Sequence, residues 1–375
     1  MLNTAEANAA EPAVVPTVRT VLNQTRRTGH YHGGHEAATH AEIARRLARL
    51  HGYVYGGFAD PAGADPGNPY LVPSDTLVEA GGTRSVHDLF GGLVPCQFVA
   101  TKAISHGLVR PDAAAPDGWA PIFAAAAGDA VLAGYSVFEP GDARRAARLL
   151  WQSGPVRAKL VHGVAGRGQR VVADERALDA LLDELGTARL AREGLVLEEN
   201  LEEVTTVSVG QVEAAGQIVS YWGTQRTTTD HLRQTVYGGS DLRLVPGPLG
   251  RLRDLPLPPP IRHAISQACR YDRAADLAWP ELRASRRNYD VAFGKNPAGV
   301  WRSGVLEQSW RIGGASGAEI AALEAFAADP LLPSIRASTV EIYGPAPVPE
   351  GVVVYFDGID AQNGPMLKYV TVERA

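Results

Sequence analysis

The chain has 375 residues, 45% hydrophobic and 21% charged, an ordinary globular balance with room for two or three domains. A formal net charge of −5 argues against nucleic acid as a partner, because a phosphate backbone calls for a basic face. With two cysteines (Cys96 and Cys269), no leader-like start and no apolar run near the ~20 residues that span a bilayer, the expectation is a cytoplasmic protein without a membrane partner.

Residues 1–16 read as a disordered lead-in. Residues 17–98 read as a small α/β domain. In it, HEAATHAEIARRLARLHG sets Ile43, Leu47 and Leu50 at helical spacing, YVYGGF is a short strand, and ADPAGADPGNP is loop. Residues 99–345 form the main unit. VLAGYSVF is extended, and DARRAARLLWQSG is a helix with Asp142 or a neighbour as N-cap and Gly154 as its end. PVRAKLVH and RVVAD are strands around the loop GVAGRGQ, and Asp174 caps the helix ERALDALLDELG. LVLEENLEE then leads into the alternating TTVSVGQVEAAGQIVSYWG, with a turn near 214–216. These are antiparallel hairpins, where a Rossmann domain would show regular βαβ crossovers. After the helix PPIRHAISQACRYDRAADLAWP, NYDVAFG and SGVLEQSW are two strands joined by KNPAGVWR, and GGASGAEIAALEAFAAD is a helix behind a glycine-rich turn. In residues 346–375, GVVVYFDG and MLKYVTVE are strands that return to cover an edge.

The chemistry gathers around Lys159 and the loop of residues 163–168. Glycines let backbone N–H groups approach phosphate oxygens, and a lysine on the preceding strand adds a mobile positive charge. The loop is neither GxxxxGK[ST] nor GxGxxG, and alone it is equally a tight hairpin. Residues further along the chain add weight. Glu198 and Glu199 end an apolar strand, where a hinge can meet an adenine edge and a carboxylate can hold ribose hydroxyls. Asp290 and Glu307 lie on adjacent strands, and paired carboxylates beside phosphates are how Mg²⁺ is held. Arg311 can stabilise charge on a transferred phosphoryl group.

In this order, KLVHGVAGRGQRVV, VATKAISHGLV, LVLEENL and NYDVAFG…GVLEQSWR resemble the ATP-grasp superfamily over residues 99–345, with a biotin-carboxylase-like loop. The whole chain is also similar to an uncharacterised bacterial family of unknown function. The resemblance implies an α/β (α+β) fold in which two subdomains enclose ATP and Mg²⁺, behind a small N-terminal domain. VATKAISHGLV would be the early lysine helix. Lys102 and Lys159 would contact phosphates, and Gly163, Gly166, Arg167 and Gly168 would form the mobile loop. Glu198 and Glu199 would sit at the adenine hinge, Glu203 on the ribose, Asp290, Glu307 and Ser309 at the metal, and Arg311 at the transferring group. The family pattern Glu-x-Asn-x-Arg reads here Glu307-Gln-Ser309-Trp-Arg311, and a hydroxyl is a weaker Mg²⁺ ligand than an amide oxygen. The implied activity is ligation of a small-molecule carboxylate to an amine or other nucleophile through an acylphosphate. A phosphotransferase and a non-catalytic nucleotide-binding protein remain alternatives, and assembly into a homo-oligomer is left open.

Other groups have plainer readings beside the functional ones. Gln225, Arg226, Arg233 and Asp241 fall on expected loops beside the nucleotide, as substrate contacts or as a solvated meander. Arg286 and Arg287 either clamp an anionic substrate or are solvated. IGGASGAE, directly after Arg311, offers N–H groups to an anion or is a plain helix start. His30, His32, His35 and His40 are read as a solvated or phosphate-contacting loop, with Zn²⁺ as the alternative.

Overall fold

The computed structural model describes residues 19–26, 33–60, 67–81, 84–163 and 168–374. The lead-in, His30, His32, Gly166 and Arg167 lie outside the described residues. Strands β1 (Thr20–Gln24), β2 (Val54–Phe58) and β3 (Tyr70–Pro73) form a parallel sheet in the order β2-β1-β3. Helix α1 (His35–His51) packs on it through the periodic Ile43, Ala44 and Leu47, and ends on Gly52 in the left-handed conformation. Short strands β4 (Leu77–Val78) and β5 (Gly92–Val94) come next.

The segment expected as a lysine helix is instead two 3₁₀ turns, Gln97–Ala100 and Lys102–Ser105. Thr101 between them is extended, and its hydroxyl accepts from the Ala103 N–H at 3.2 Å, which starts a new turn and prevents a continuous helix. Helix α2 (Pro121–Ala127) leads to β6 (Gly134–Val137) and α3 (Pro140–Leu150). Pro140 opens α3 from its first turn. Asp142, expected at or beside the cap, lies inside that turn and accepts from Arg110 Nε (2.9 Å) and Ala114 N (3.3 Å); the cap position is Glu139, three residues earlier, whose side chain makes no capping hydrogen bond.

Strands β7 (Val156–Leu160) and β8 (Gln169–Val172), helices α4 (Glu175–Leu185) and α5 (Thr187–Glu193), and β9 (Leu195–Glu199) complete a four-stranded antiparallel sheet, β6-β9-β7-β8. Asp174 caps α4 as expected, accepting from Ala177 N at 2.8 Å.

The largest sheet begins with β10 (Glu202–Ala214), β11 (Gln217–Thr229) and β12 (Thr235–Pro246). Residues 217–229 and 235–246, expected partly as loops, continue the pairing as a long threonine-rich hairpin, because β-branched residues fit a pleated surface. Helix α6 (Pro259–Ala278) and the short β13 (Arg283–Ala284) precede β14 (Arg286–Lys295) and β15 (Trp301–Ser309). Helix α7 (Ser316–Ala328), β16 (Ile335–Tyr343), β17 (Val353–Asp360) and β18 (Gly364–Arg374) close the chain. The sheet runs β15-β14-β10-β11-β12-β16-β18-β17, so the last two strands form its far edge. One face packs Val207, Val209, Tyr289 and Val291 on α6; the other packs Tyr221, Leu242 and Ile335 on α7 and α1. Burying Ile320, Leu323 and Phe326 of α7 contributes about 1.5–3 kcal/mol each. Among the described residues, no helix is long and apolar enough to cross a membrane.

Gly239 lies opposite Arg226 where the β11–β12 register shifts. Its φ is +140°, and a Cβ there would meet the Thr339 carbonyl oxygen at 2.0 Å. Gly239→Ala is therefore expected to destabilise the protein by about 2–3 kcal/mol, read as a lower urea midpoint. An unchanged midpoint would mean that the strand edge yields.

Candidate functional site

Strand parity builds the first wall of the site. In the four-stranded sheet Val156, Ala158, Leu195 and Leu197 are buried with α3 and α4. Successive side chains alternate, so Lys159 and Glu198 fall on the opposite face. There both are buried and form an ion pair, and Glu198 Oε2 lies 3.1 Å from His106 Nε2. Burial works against the Glu198 charge, but Lys159 and His106 outweigh it and hold the carboxyl below its ordinary value.

The second wall is the β14–β15 pair. Asp290 stands opposite Glu307, and Asn288 opposite Ser309. The register slips after Asp290, where Val291 pairs with Val305 and leaves Leu306 as an extra residue. In a regular strand Val305 and Glu307 would share a face. The bulge separates them, so Val305 enters the core against α6 while Glu307 joins Asp290 on the other side. Asp290 Oδ1 accepts from Ser208 Oγ (2.9 Å), Gln225 Nε2 (3.0 Å) and Asn288 Nδ2 (3.2 Å). Burial first, and the Glu307 charge second, push the Asp290 carboxyl above its ordinary value despite these donors.

Lys102 joins the two walls. Its Nζ lies 3.0 Å from Glu307 Oε2 and also donates to the carbonyl of Gly163, where the glycine loop begins. Lys102, Gly163, Glu307 and Asp290 thus converge, with Gln225 on the same face.

The remaining sequence-derived candidates are placed less centrally. Glu199 accepts from Ala133 N (3.1 Å) and from Arg302 Nε and Nη2 (3.0–3.2 Å). Glu203, with a positive φ of 53°, pairs with Lys295 at 2.7 Å. Gly168 closes the other side of the loop, its carbonyl accepting from Leu160 N at 2.8 Å. Arg226 is tied to Asp241 at 2.9 Å and to the Thr339 carbonyl at 2.7 Å, and Arg233 is exposed at the β11–β12 turn. Arg287 has the parity of Tyr289 and lies on the α6 side, where it pairs with Asp272 (2.6 Å) and Asp276 (3.0 Å), away from the carboxylate pair. Arg311 donates to the Ile312 carbonyl at 2.9 Å.

Arg286 shares the face of Asp290 but is wholly buried. Its Nε and Nη2 each reach Glu319 at 2.9 Å, and Nη1 contacts the Ser309 carbonyl (3.1 Å), the Ser309 hydroxyl (3.4 Å) and the Arg311 carbonyl. Sequence reasoning overlooked His106, Ser208, Tyr221, Asn288 and Glu319. For Asn288 the signal was simple: it stands two residues before Asp290 and so shares its face.

The carboxylate pair suits Mg²⁺, since Asp290 and Glu307 stand opposite one another and this ion is usually held by one or two carboxylates plus phosphates and waters. Among the described residues, no group of three or more His, Cys, Asp or Glu forms an all-protein cage, and His35 and His40 join none.

This arrangement of sheets is the ATP-grasp fold. It is similar over 95% of this chain, and 94% of the other, to a crystal structure of N5-carboxyaminoimidazole synthetase from Staphylococcus aureus complexed with ADP, at 15% identity and a TM-score of 0.50. A phosphoribosylamine–glycine ligase from Thermotoga maritima aligns over 96% of this chain and 93% of its own, at 15% identity and a TM-score of 0.47. No curated protein matches the chain. The family described as "Protein of unknown function (DUF3182)" matches residues 21–370, and the chain belongs to it.

Proposed function

We propose that this protein is an ATP- and Mg²⁺-dependent ligase, which activates a small-molecule carboxylate as an acylphosphate for attack by an amine or another nucleophile. The observation that carries this reading is Lys102, which touches both the base of the glycine loop and Glu307. A lysine shared between an anion-binding loop and a carboxylate pair is placed for a nucleotide triphosphate bridged by a cation. The similar fold of a synthetase complexed with ADP supports it.

In this reading residues 99–345 are the ATP-grasp unit, residues 17–98 precede it and residues 346–375 complete it. Lys102 and Lys159 hold phosphates, and the loop through Gly163 and Gly168 covers them. Glu198 and Glu199 border the adenine, and Glu203 the ribose. Asp290 and Glu307 hold the cation, which supplies charge neutralisation at the transferring phosphate, and Arg311 adds to that neutralisation. Gln225, beside Asp290, is the nearest of the substrate candidates.

Purified protein given ATP, Mg²⁺ and paired libraries of acids and amines is expected to release ADP and free phosphate in equal amounts with a productive pair. Addition of a chelator should stop it. A phosphorylated product without free phosphate would make the protein a phosphotransferase and overturn the ligase reading.

A further inference from the structure

We propose that the cavity between the C-terminal end of α1 and the β10–β11 turn is a second ligand site, which takes a small organic amine as its ammonium ion. The cavity holds about 360 Å³, within the range of small-molecule sites, and its walls include His51, Tyr53, Tyr70, Val86, His87 and Glu213. It stands apart from the carboxylate pair. Ser208, bonded to Asp290, and Glu213 are five residues apart on β10, about 16 Å of strand.

Tyr70 points to a ligand. It is almost wholly buried, yet its hydroxyl is one of three buried side-chain atoms without a hydrogen-bond partner among the described residues. Burial pushes the phenol well above its ordinary value, so the group keeps its proton and is a donor that lacks an oxygen. Charge then selects a cation. Arg19 is spent on Asp88 (2.6 Å) and on the carbonyls of Asn68, His87 and Pro69, so that guanidinium and carboxylate cancel. His51 Nε2 accepts from Ala215 N at 3.2 Å, and burial first, Arg19 second, make the ring harder to protonate, so it stays neutral. Glu213 keeps a carboxylate on the wall, 3.6 Å from Nδ1 of an exposed His87. The negative end of the α1 dipole falls at His51. The His51 ring lies 5.0 Å from that of Tyr53 and 4.6 Å from that of Tyr70, and aromatic faces attract ammonium groups.

The test is saturation-transfer NMR on the full chain, with tyramine as the probe and tyrosol, which carries a hydroxyl in place of the amine, as its uncharged counterpart. Tyramine should bind saturably, and tyrosol about tenfold or more weakly, the scale of a charge-assisted hydrogen bond. Glu213→Gln should erase the difference between the two. Tyr70→Phe should weaken tyramine about three- to tenfold and leave the thermal midpoint unchanged or higher, because the hydroxyl it deletes bonds to nothing in the protein. Should Glu213→Gln fold poorly, Val86→Trp fills the cavity from its half-buried rim and should abolish binding. Glu307→Gln should bind tyramine as the wild type does. Loss in Glu307→Gln with retention in Glu213→Gln would place the amine at the carboxylate pair and overturn the proposal. Equal affinity for the two probes, or no saturable binding of tyramine, would overturn it as well.

Discussion

Glu319→Ala is expected to lower the free energy of unfolding by about 3–5 kcal/mol, the range for removing one partner of a buried ion pair. Both Arg286 and Glu319 are almost completely buried, and the substitution leaves the guanidinium with only backbone carbonyls and the Ser309 hydroxyl. It also removes one of the two acceptors of the Tyr221 hydroxyl, leaving Asn288 Oδ1 at 2.9 Å. The double replacement Arg286→Met with Glu319→Leu should recover much of the loss, since a well-packed apolar pair avoids the desolvation cost of both charges. Urea unfolding of the three proteins measures this. A loss below 1 kcal/mol in Glu319→Ala would show that water reaches the guanidinium.

Glu307→Gln should reduce nucleotide-dependent ADP release by roughly 10²–10³-fold, the scale for loss of one preorganised charge partner. The amide keeps the shape of the side chain and can still accept from Lys102, so near-ultraviolet dichroism should be unchanged. Lys102→Met should act in the same direction, because Lys102 is the group shared by the loop and the carboxylates. If Glu307→Gln turns over at the wild-type rate, the carboxylate pair is not where the cation sits.

Much of the fold was legible in the sequence because its signals are local. Asp174 before an amphipathic run, the glycine-turned β7–β8 hairpin, and two strands around KNPAGVWR each arise from residues within a few positions of one another. The carboxylate pair was legible for the same reason, as Asp290 and Glu307 flank one short turn. What escaped was whatever depended on side-chain parity or on distant partners. The dipeptide Arg286-Arg287 does not say which arginine turns inward; only the pairing of Tyr289 with the α6 side decides it. Tyr221, Arg286 and Glu319 meet across 98 and 33 residues of chain, beyond the reach of any local pattern. The extra residue Leu306 had no signature at all, since an alternation read straight through it would have set Glu307 on the same side as Val305.

Between Arg286 and Asp290 the chain is constrained in length more than in composition. Each residue there commits to one of two incompatible surroundings, an Arg286–Glu319 network on one side and an Arg287–Asp272 contact on the other. A one-residue insertion or deletion would exchange them, driving Tyr289 into the cleft and the groups on the Asp290 face into the hydrophobic layer. The Asn296–Val300 turn, closed by its own hydrogen bonds, faces no such demand. Related chains should therefore vary freely in length at that turn, and hold the spacing from Arg286 to Asp290 constant even where the residues between them differ.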